Sequence, residues 1–295
     1  MELHIEWQNK LGEGGEGAVY LGLLDGRTRC AVKVPHGHEQ ARRIPALRLP
    51  LVAALRRERD RVQQARGSHL IQLLGWNLDD EIPFLVYELA VGGSLEDVLV
   101  GLRKKTHRLS ASVALEYIEQ VLVALVELHE SGLIHRDIKP HNLLRVEDGS
   151  LKLADLGLGR SLDRPCAAQT VGFAGTPLYA APEQIAAECF SHAADLFGVG
   201  GVLWALLTNY PPPRARPLPR LSTIRNDTGP FLQSLVDRLL DVNPANRPAT
   251  AKVALAEVRL LRPNYDAPQL VVCSNCGKLC RPIPCQRCGK MHCQD

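Results

Sequence analysis

With 295 residues, the chain is long enough for one large domain or two modest ones, each with a real core. Hydrophobic residues make up 45% and charged residues 23%, a globular balance that excludes wholesale disorder. Lys plus Arg number 35 against 32 Asp plus Glu, and the resulting +3 is too even to argue for nucleic acid or a membrane surface on charge alone. Met1-Glu2-Leu3-His4 lacks the basic-then-apolar pattern of a signal peptide. The longest apolar run, Leu196 to Leu207, has 12 residues, against the roughly 18 that a bilayer span requires. A soluble, cytoplasmic protein is expected.

Val19-Tyr20-Leu21 and Leu23-Leu24 read as strand, Asp25-Gly26 as a hairpin turn, and Cys30-Ala31-Val32-Lys33-Val34 as the returning strand. From Leu51 to Ala65 the period is helical, with Leu51, Leu55 and Val62 on one side. Strand character returns at Leu70 to Leu74 and at Phe84 to Tyr87. Behind Ser110 as N-cap, Val113, Tyr117, Val121, Leu125 and Leu128 recur at helical spacing. The rest, to about Arg262, reads as helix with short strands near Leu143-Leu144 and Leu151-Leu153. Pro211 to Pro219 holds five prolines in nine residues and reads as a loop. A sheet-rich first part and a helix-rich second part predict two lobes.

Gly12-Glu13-Gly14-Gly15-Glu16-Gly17-Ala18-Val19 fits G-x-G-x-x-G-x-V. A dinucleotide-binding fold needs a helix after such a loop. Here β-branched and aromatic residues and a hairpin turn follow, so the loop joins two antiparallel strands. Such a flap suits backbone N–H groups closing over a triphosphate, since glycines let the main chain come near. Fourteen residues beyond Val19, the third strand ends in Lys33.

His135-Arg136-Asp137-Ile138-Lys139-Pro140-His141-Asn142 is followed, 13 residues after Asn142, by Asp155-Leu156-Gly157. Gly175-Thr176-Pro177 and Ala181-Pro182-Glu183 come next. In this order and spacing these segments resemble the eukaryotic-type (Hanks-type) serine/threonine protein kinases, over roughly residues 7–262. The resemblance implies an α+β bilobal fold, with a β-rich N-lobe over about 7–90 and an α-rich C-lobe over about 91–262. It implies transfer of the γ-phosphate of ATP to Ser/Thr hydroxyls of protein substrates, with autophosphorylation. The alternative is an ATP-binding scaffold, like a pseudokinase, that signals through partners; retention of Lys33, Asp137, Asn142 and Asp155 argues against it.

By the same resemblance, Asp137 orients the substrate hydroxyl and accepts its proton, and Lys139 neutralises γ-phosphate charge. Asn142 and Asp155 hold Mg²⁺, which prefers hard oxygen ligands. Lys33 grips the α and β phosphates and is steadied by a helix carboxylate, assigned to Glu58 ahead of Asp60 and Glu39. Nucleotide contacts run from Leu11 to Val19, with Val19, Ala31 and Leu144 sandwiching the adenine. Tyr87 lies behind that pocket, and Glu88 and Ala90 present backbone groups to its edge. Glu183 is expected to pair with Arg247, and Asp195 to hold the backbone of the His135-Arg136-Asp137 loop. Lys139 and Gly175-Thr176-Pro177 resemble Ser/Thr-specific members. Arg136 implies an activation segment ordered by phosphate, with Thr170 the expected acceptor and Ser161 the second candidate. Three features depart from the family: Leu156 in place of the commoner Phe, a long stretch between Val34 and Leu51, and Pro211 to Pro219 where a substrate-docking helix is usual.

Of nine cysteines, six fall in the last 25 residues. Cys273-Ser274-Asn275-Cys276-Gly277-Lys278 is echoed by Cys285-Gln286-Arg287-Cys288-Gly289-Lys290, two CxxCGK turns that resemble zinc-ribbon knuckles. In a reducing compartment such a cluster points to metal rather than disulfides. One structural Zn²⁺ on Cys273, Cys276, Cys285 and Cys288 is expected in a small module over 273–295, after a linker at 263–272. Charge counting with the metal leaves this tail about neutral, so no nucleic-acid partner is expected.

Overall fold

The computed structural model describes residues 2–14, 17–65, 67–158, 160–161, 178–186, 191–214 and 217–266, and four short strands at 271–272, 279–280, 283–284 and 291–292. Strands β1 (Leu3–Glu13), β2 (Gly17–Leu24), β3 (Thr28–Pro35), β4 (Leu73–Asn77) and β5 (Phe84–Glu88) form an antiparallel sheet in the order β1-β2-β3-β5-β4. Asp25 and Gly26 both adopt left-handed φ, 48° and 67°, the conformation a tight hairpin with native twist requires. The β2–β3 register sets Val19 opposite Lys33 and Leu21 opposite Ala31. Because side chains alternate along a strand, Cys30, Val32 and Val34 join Phe84 and Val86 in a small core on one face. Ala31 and Lys33 therefore look the other way, toward the second lobe.

Between β3 and β4 come α1 (His38–Arg43), a single 3₁₀ turn at Pro45–Leu47, and α2 (Arg48–Gln64). They fill the long stretch after Val34. Pro50 falls in the first turn of α2, where a missing N–H costs nothing. Leu55, Glu58 and Val62 are the buried residues of α2, one face at helical spacing with a carboxylate in its middle. One boundary differs from expectation: β4 runs from Leu73 to Asn77, and Leu70 instead bridges in parallel to Leu153. Leu70 and Ile71 are buried as their apolar character demands, but against the second lobe rather than within the sheet. This crossing is well tied. Ile71 N–H donates to Leu153 O (3.0 Å), Leu153 N–H to His69 O (2.7 Å), and Gln64 Nε2 to Ser131 O (2.7 Å).

The second lobe opens with α3 (Leu95–Lys104), closed at its start by a reciprocal capping box between Ser94 and Asp97. Helix α4 (Ala111–Glu130) is capped by Ser110, whose side chain accepts from Val113 N–H. Short strands β6 (Leu133–Ile134), β7 (Leu143–Arg145), β8 (Leu151–Leu153) and β9 (Arg160–Ser161) follow, with β6 paired to β9 and β7 to β8. Then come α5 (Pro182–Ile185), α6 (His192–Thr208), α7 (Pro230–Leu239), α8 (Ala251–Leu261) and the single turn α9 (Pro263–Asp266). Every residue of α6 from Ala194 to Thr208 is buried, the mark of a helix that is apolar all round and lies at the centre of its lobe. Glycine permits that closeness: a Cβ on Gly198 would lie 2.7 Å from Ile138 Cβ, in the loop that carries the chemistry. No described helix is long and apolar enough to cross a membrane.

From Pro211 to Arg220 no helix forms among the described residues, and one 3₁₀ turn, Leu221–Thr223, precedes α7. Farther on, β10 (Val271–Val272) pairs with β11 (Leu279–Cys280), and β12 (Ile283–Pro284) with β13 (Met291–His292), both antiparallel.

Candidate active site

The loop between β6 and β7 is organised from beneath. Asp195, in the first turn of α6, accepts the backbone N–H groups of His135 (2.9 Å) and Arg136 (2.7 Å), and its Oδ2 also lies 2.9 Å from His129 Nε2. Arg136 has φ +73°, a left-handed conformation that costs a non-glycine residue about 1 kcal/mol or more. The bonds to Asp195 hold it there. Burial pushes the Asp195 carboxyl up, but the hydrogen bond and charge of His129, with His135, outweigh it and hold the group below the usual carboxylate range. A depressed folded-state pKa stabilises the fold above the unfolded value and loses that stabilisation as pH falls through the folded value. The urea midpoint is therefore expected to fall between pH 5 and pH 3, unfolded aspartate titrating near about 3.9. A midpoint that stays level across that range would contradict the assignment.

Within the loop, Lys139 Nζ lies 2.6 Å from Asp137 Oδ2. Asn142 Nδ2 donates to Asp137 O (2.8 Å) and Oδ2 (3.0 Å), which commits the amide nitrogen and leaves the amide oxygen as its ligand atom. Ala154 N–H donates to Asn142 O (2.9 Å), and His135 Nε2 lies 3.0 Å from Ala154 O, so the residue before Asp155 is pinned to the loop. Asp155 also has left-handed φ, 68°. Its carboxylate and the oxygen of Asn142 make a hard donor pair on adjacent segments, which fits Mg²⁺.

From the sheet side, Lys33 Nζ lies 2.9 and 2.8 Å from the two oxygens of Glu58 and 2.9 Å from Asp155 Oδ1. Glu58 is thus the carboxylate that meets Lys33; Asp60 is exposed and bonds Arg59, and Glu39 is exposed on α1. Burial alone would lower the Lys33 pKa, but the charges of Glu58 and Asp155 outweigh it and raise it, so the ammonium stays charged. Burial likewise pushes Asp155 up, and Lys33 pulls it back below the usual range.

Around the nucleotide side, Val19, Ala31 and Leu144 are half-buried, and Ala31 and Leu144 pack on the main core. Leu11, Gly12, Glu13 and Gly14 are exposed at the end of β1, while Gly17 and Ala18 are buried at the start of β2. Glu88 uses its own N–H on Gln72 O (2.9 Å), and its side chain takes Gln72 N–H (2.7 Å) and Lys152 Nζ (2.6 Å). Ala90 follows the strand, half-buried. Glu183 and Arg247 form a buried two-pronged pair, 2.6 and 2.9 Å, and Arg247 also donates to Ala193 O (2.8 Å). Gly15, Glu16, Thr170, Gly175-Thr176-Pro177, Cys273, Cys276, Cys285 and Cys288 lie outside the described residues, as does the side chain of Ser161.

A profile of the protein kinase domain matches residues 5–258. The chain belongs to the protein kinase family. The kinase is similar to serine/threonine-protein kinase PknL of Mycobacterium tuberculosis, 29% identical over 282 residues, 90% of this chain and 67% of that one. L-type lectin-domain containing receptor kinase IX.1 of Arabidopsis thaliana is 34% identical over 204 residues, 68% of this chain and 29% of that one. Serine/threonine-protein kinase pkn3 of Myxococcus xanthus is 30% identical over 238 residues, 70% of this chain and 42% of that one.

Two functional contacts of this kinase were not read from its sequence. Arg61 NH1 donates to Leu156 O (3.1 Å) and to Gly157 O, joining α2 to the segment that carries Asp155. Its one signal is position: three residues past Glu58, it shares the inward side of the helix. The other is the hydroxyl of Tyr87, which donates to Glu58 Oε1 (2.8 Å).

Proposed function

We infer that this kinase transfers the γ-phosphate of ATP to serine and threonine hydroxyls of protein substrates. The convergence of Lys33, Asp137, Asn142 and Asp155 at one site carries the reading, because these four groups together meet the needs of phosphoryl transfer. Asp137 holds the incoming hydroxyl and takes its proton. Lys139, already beside Asp137, screens the charge gathering on the transferred group. Lys33 holds the α and β phosphates in register. Mg²⁺, held by Asn142 and Asp155, would supply charge neutralisation between the phosphates. Hydroxyl rather than phenol selection is supported by Lys139 and by the names of PknL and pkn3.

The deciding assay incubates the purified chain with labelled ATP, Mg²⁺ and a generic protein substrate, beside Asp137→Asn, and maps the modified residues. Label on serine or threonine that vanishes with Asp137→Asn is expected; equal label in both sinks the reading. The same maps test regulation. Thr170 is proposed as an autophosphorylation site that pairs with Arg136, and active protein bearing only unmodified Thr170 and Ser161 would remove it.

We place the kinase domain at 7–262, a linker at 263–272 and a zinc module at 273–295, in a cytoplasmic protein with no nucleic-acid partner. The zinc reading is supported by strand pairing. Val272 pairs with Leu279 and Pro284 with Met291, so the strands on either side of each CxxCGK segment are antiparallel neighbours. Two CxxC pairs supply the four thiolates of a closed tetrahedral site, a structural arrangement with no open position. Metal analysis should give about one zinc per chain, falling to near zero when Cys273 and Cys276 are both changed to Ser. A chain ending at Arg262 should still phosphorylate a generic substrate. Freshly prepared protein without zinc, or a folded but inactive truncation, would refute the corresponding half.

A further inference from the structure

We propose that Tyr87 is a positioning residue for phosphoryl transfer, acting through Glu58 on Lys33. Tyr87 sits on β5, opposite Ala31 of β3 and Leu73 of β4, and is buried. Its hydroxyl donates to Glu58 Oε1 at 2.8 Å. That same oxygen lies 2.9 Å from Lys33 Nζ, and Oε2 lies 2.8 Å from it.

Glu58 is 2% exposed, so its carboxylate cannot turn to water and depends on donors inside the protein. Lys33 has an ammonium with three N–H groups, and the structure sets it against both Glu58 oxygens and Asp155. To hold phosphate as well, the ammonium must share donors and field that Glu58 now receives. At that moment the carboxylate is the group most in need of a second partner. The Tyr87 hydroxyl meets that need. It is neutral, so phosphate does not attract it away, and it is carried by a strand inside the five-stranded sheet. Glu58 thereby stays in place on α2 while Lys33 divides its attention, and Lys33 keeps its aim. Phenylalanine would preserve the ring and its packing but leave Glu58 one donor short.

This inference rests on the kinase reading for the role of Lys33, and its test is chosen to separate the two. In the full chain, Tyr87→Phe, Glu58→Ala and the double variant are compared for kcat/KM toward ATP and for ATP affinity, each at a temperature well below its unfolding transition. Tyr87→Phe alone is expected to lower kcat/KM on the order of tenfold, since a hydrogen bond to a charged group is at stake. In the Glu58→Ala background the same change is expected to cost less than about twofold, because the group it acts through is gone. Full activity in Tyr87→Phe overturns the proposal, and so does an equal loss in both backgrounds. Should Glu58→Ala not fold, Lys33→Met takes its place with the same expectations. If the unaltered chain binds ATP but transfers nothing, the kinase reading falls, and the coupling measured in ATP affinity still decides the role of Tyr87.

Discussion

Asp155→Asn is expected to lower the rate of phosphotransfer at least about a thousandfold, on the order of 4 kcal/mol of lost transition-state stabilisation. Asparagine is the informative replacement. Asp155 has φ 68°, and asparagine tolerates that left-handed conformation where alanine would add strain. The substitution thus removes the charge while sparing the backbone, and with it both the attraction to Lys33 at 2.9 Å and the hard anionic ligand for Mg²⁺. Single-turnover kinetics on protein with an unchanged circular dichroism spectrum would measure the loss. Turnover within tenfold of the unaltered protein would mean that Asp155 is no part of the chemistry.

Glu183→Ala is expected to act on stability, by about 3–5 kcal/mol, because it strips the counter-ion from a buried guanidinium. The Arg247 side chain is fully buried, stacked on Phe197 with 4.9 Å from its guanidinium carbon to the ring centre. Its remaining bonds go to the carbonyls of Ala193, Asp241 and Val242, which carry no charge to balance it. For a chain of this size the loss should appear as a fall of roughly 10 °C in melting temperature. Glu183→Gln, which keeps an acceptor, should fall less. Equal melting temperatures for Glu183→Ala and the unaltered protein would refute this account.

The catalytic loop was legible in the sequence because its chemistry is local. Asp137, Lys139 and Asn142 lie within six residues, and their mutual bonds follow from one short turn. Glu58 was legible only through the family's spacing to the strand that follows; the physical reason, that it faces inward with Leu55 and Val62, is visible only in the folded helix. What stayed hidden depends on how α2 is rotated against β5 and on what β8 meets. The hydroxyl of Tyr87 and the guanidinium of Arg61 have many possible partners, and only the packed lobes select one. The start of β4 was misplaced for the same reason. Leu70 and Ile71 carry a strand's apolar residues, and the sheet they would join is indistinguishable in sequence from the bridge to Leu153 that they form. Helix α3, by contrast, is marked locally by Ser94-Leu95-Glu96-Asp97, a capping-box pattern that needs no tertiary partner.

The bonds that tie the end of α2 to the second lobe make the helix a lever with its fulcrum at one end. Gln64 is fastened to Ser131, and beyond it Ser68 to Glu127 and Ile71 to Leu153, all on the second lobe. The far end, where Leu49 is 75% exposed, is held instead to the first lobe by Arg48, which donates to Leu78 O (3.1 Å) and Asp80 O. At 1.5 Å per residue, the start of the helix stands about 24 Å from that fulcrum and Glu58 about 9 Å. A tilt of about 10° would sweep the far end through about 4 Å and Glu58 through only about 1.6 Å. That smaller arc is still enough to part contacts of 2.8–2.9 Å with Lys33 and Tyr87. Whatever shifts the Leu78–Asp80 segment that Arg48 holds therefore works at a mechanical advantage of more than two over the groups that aim the lysine.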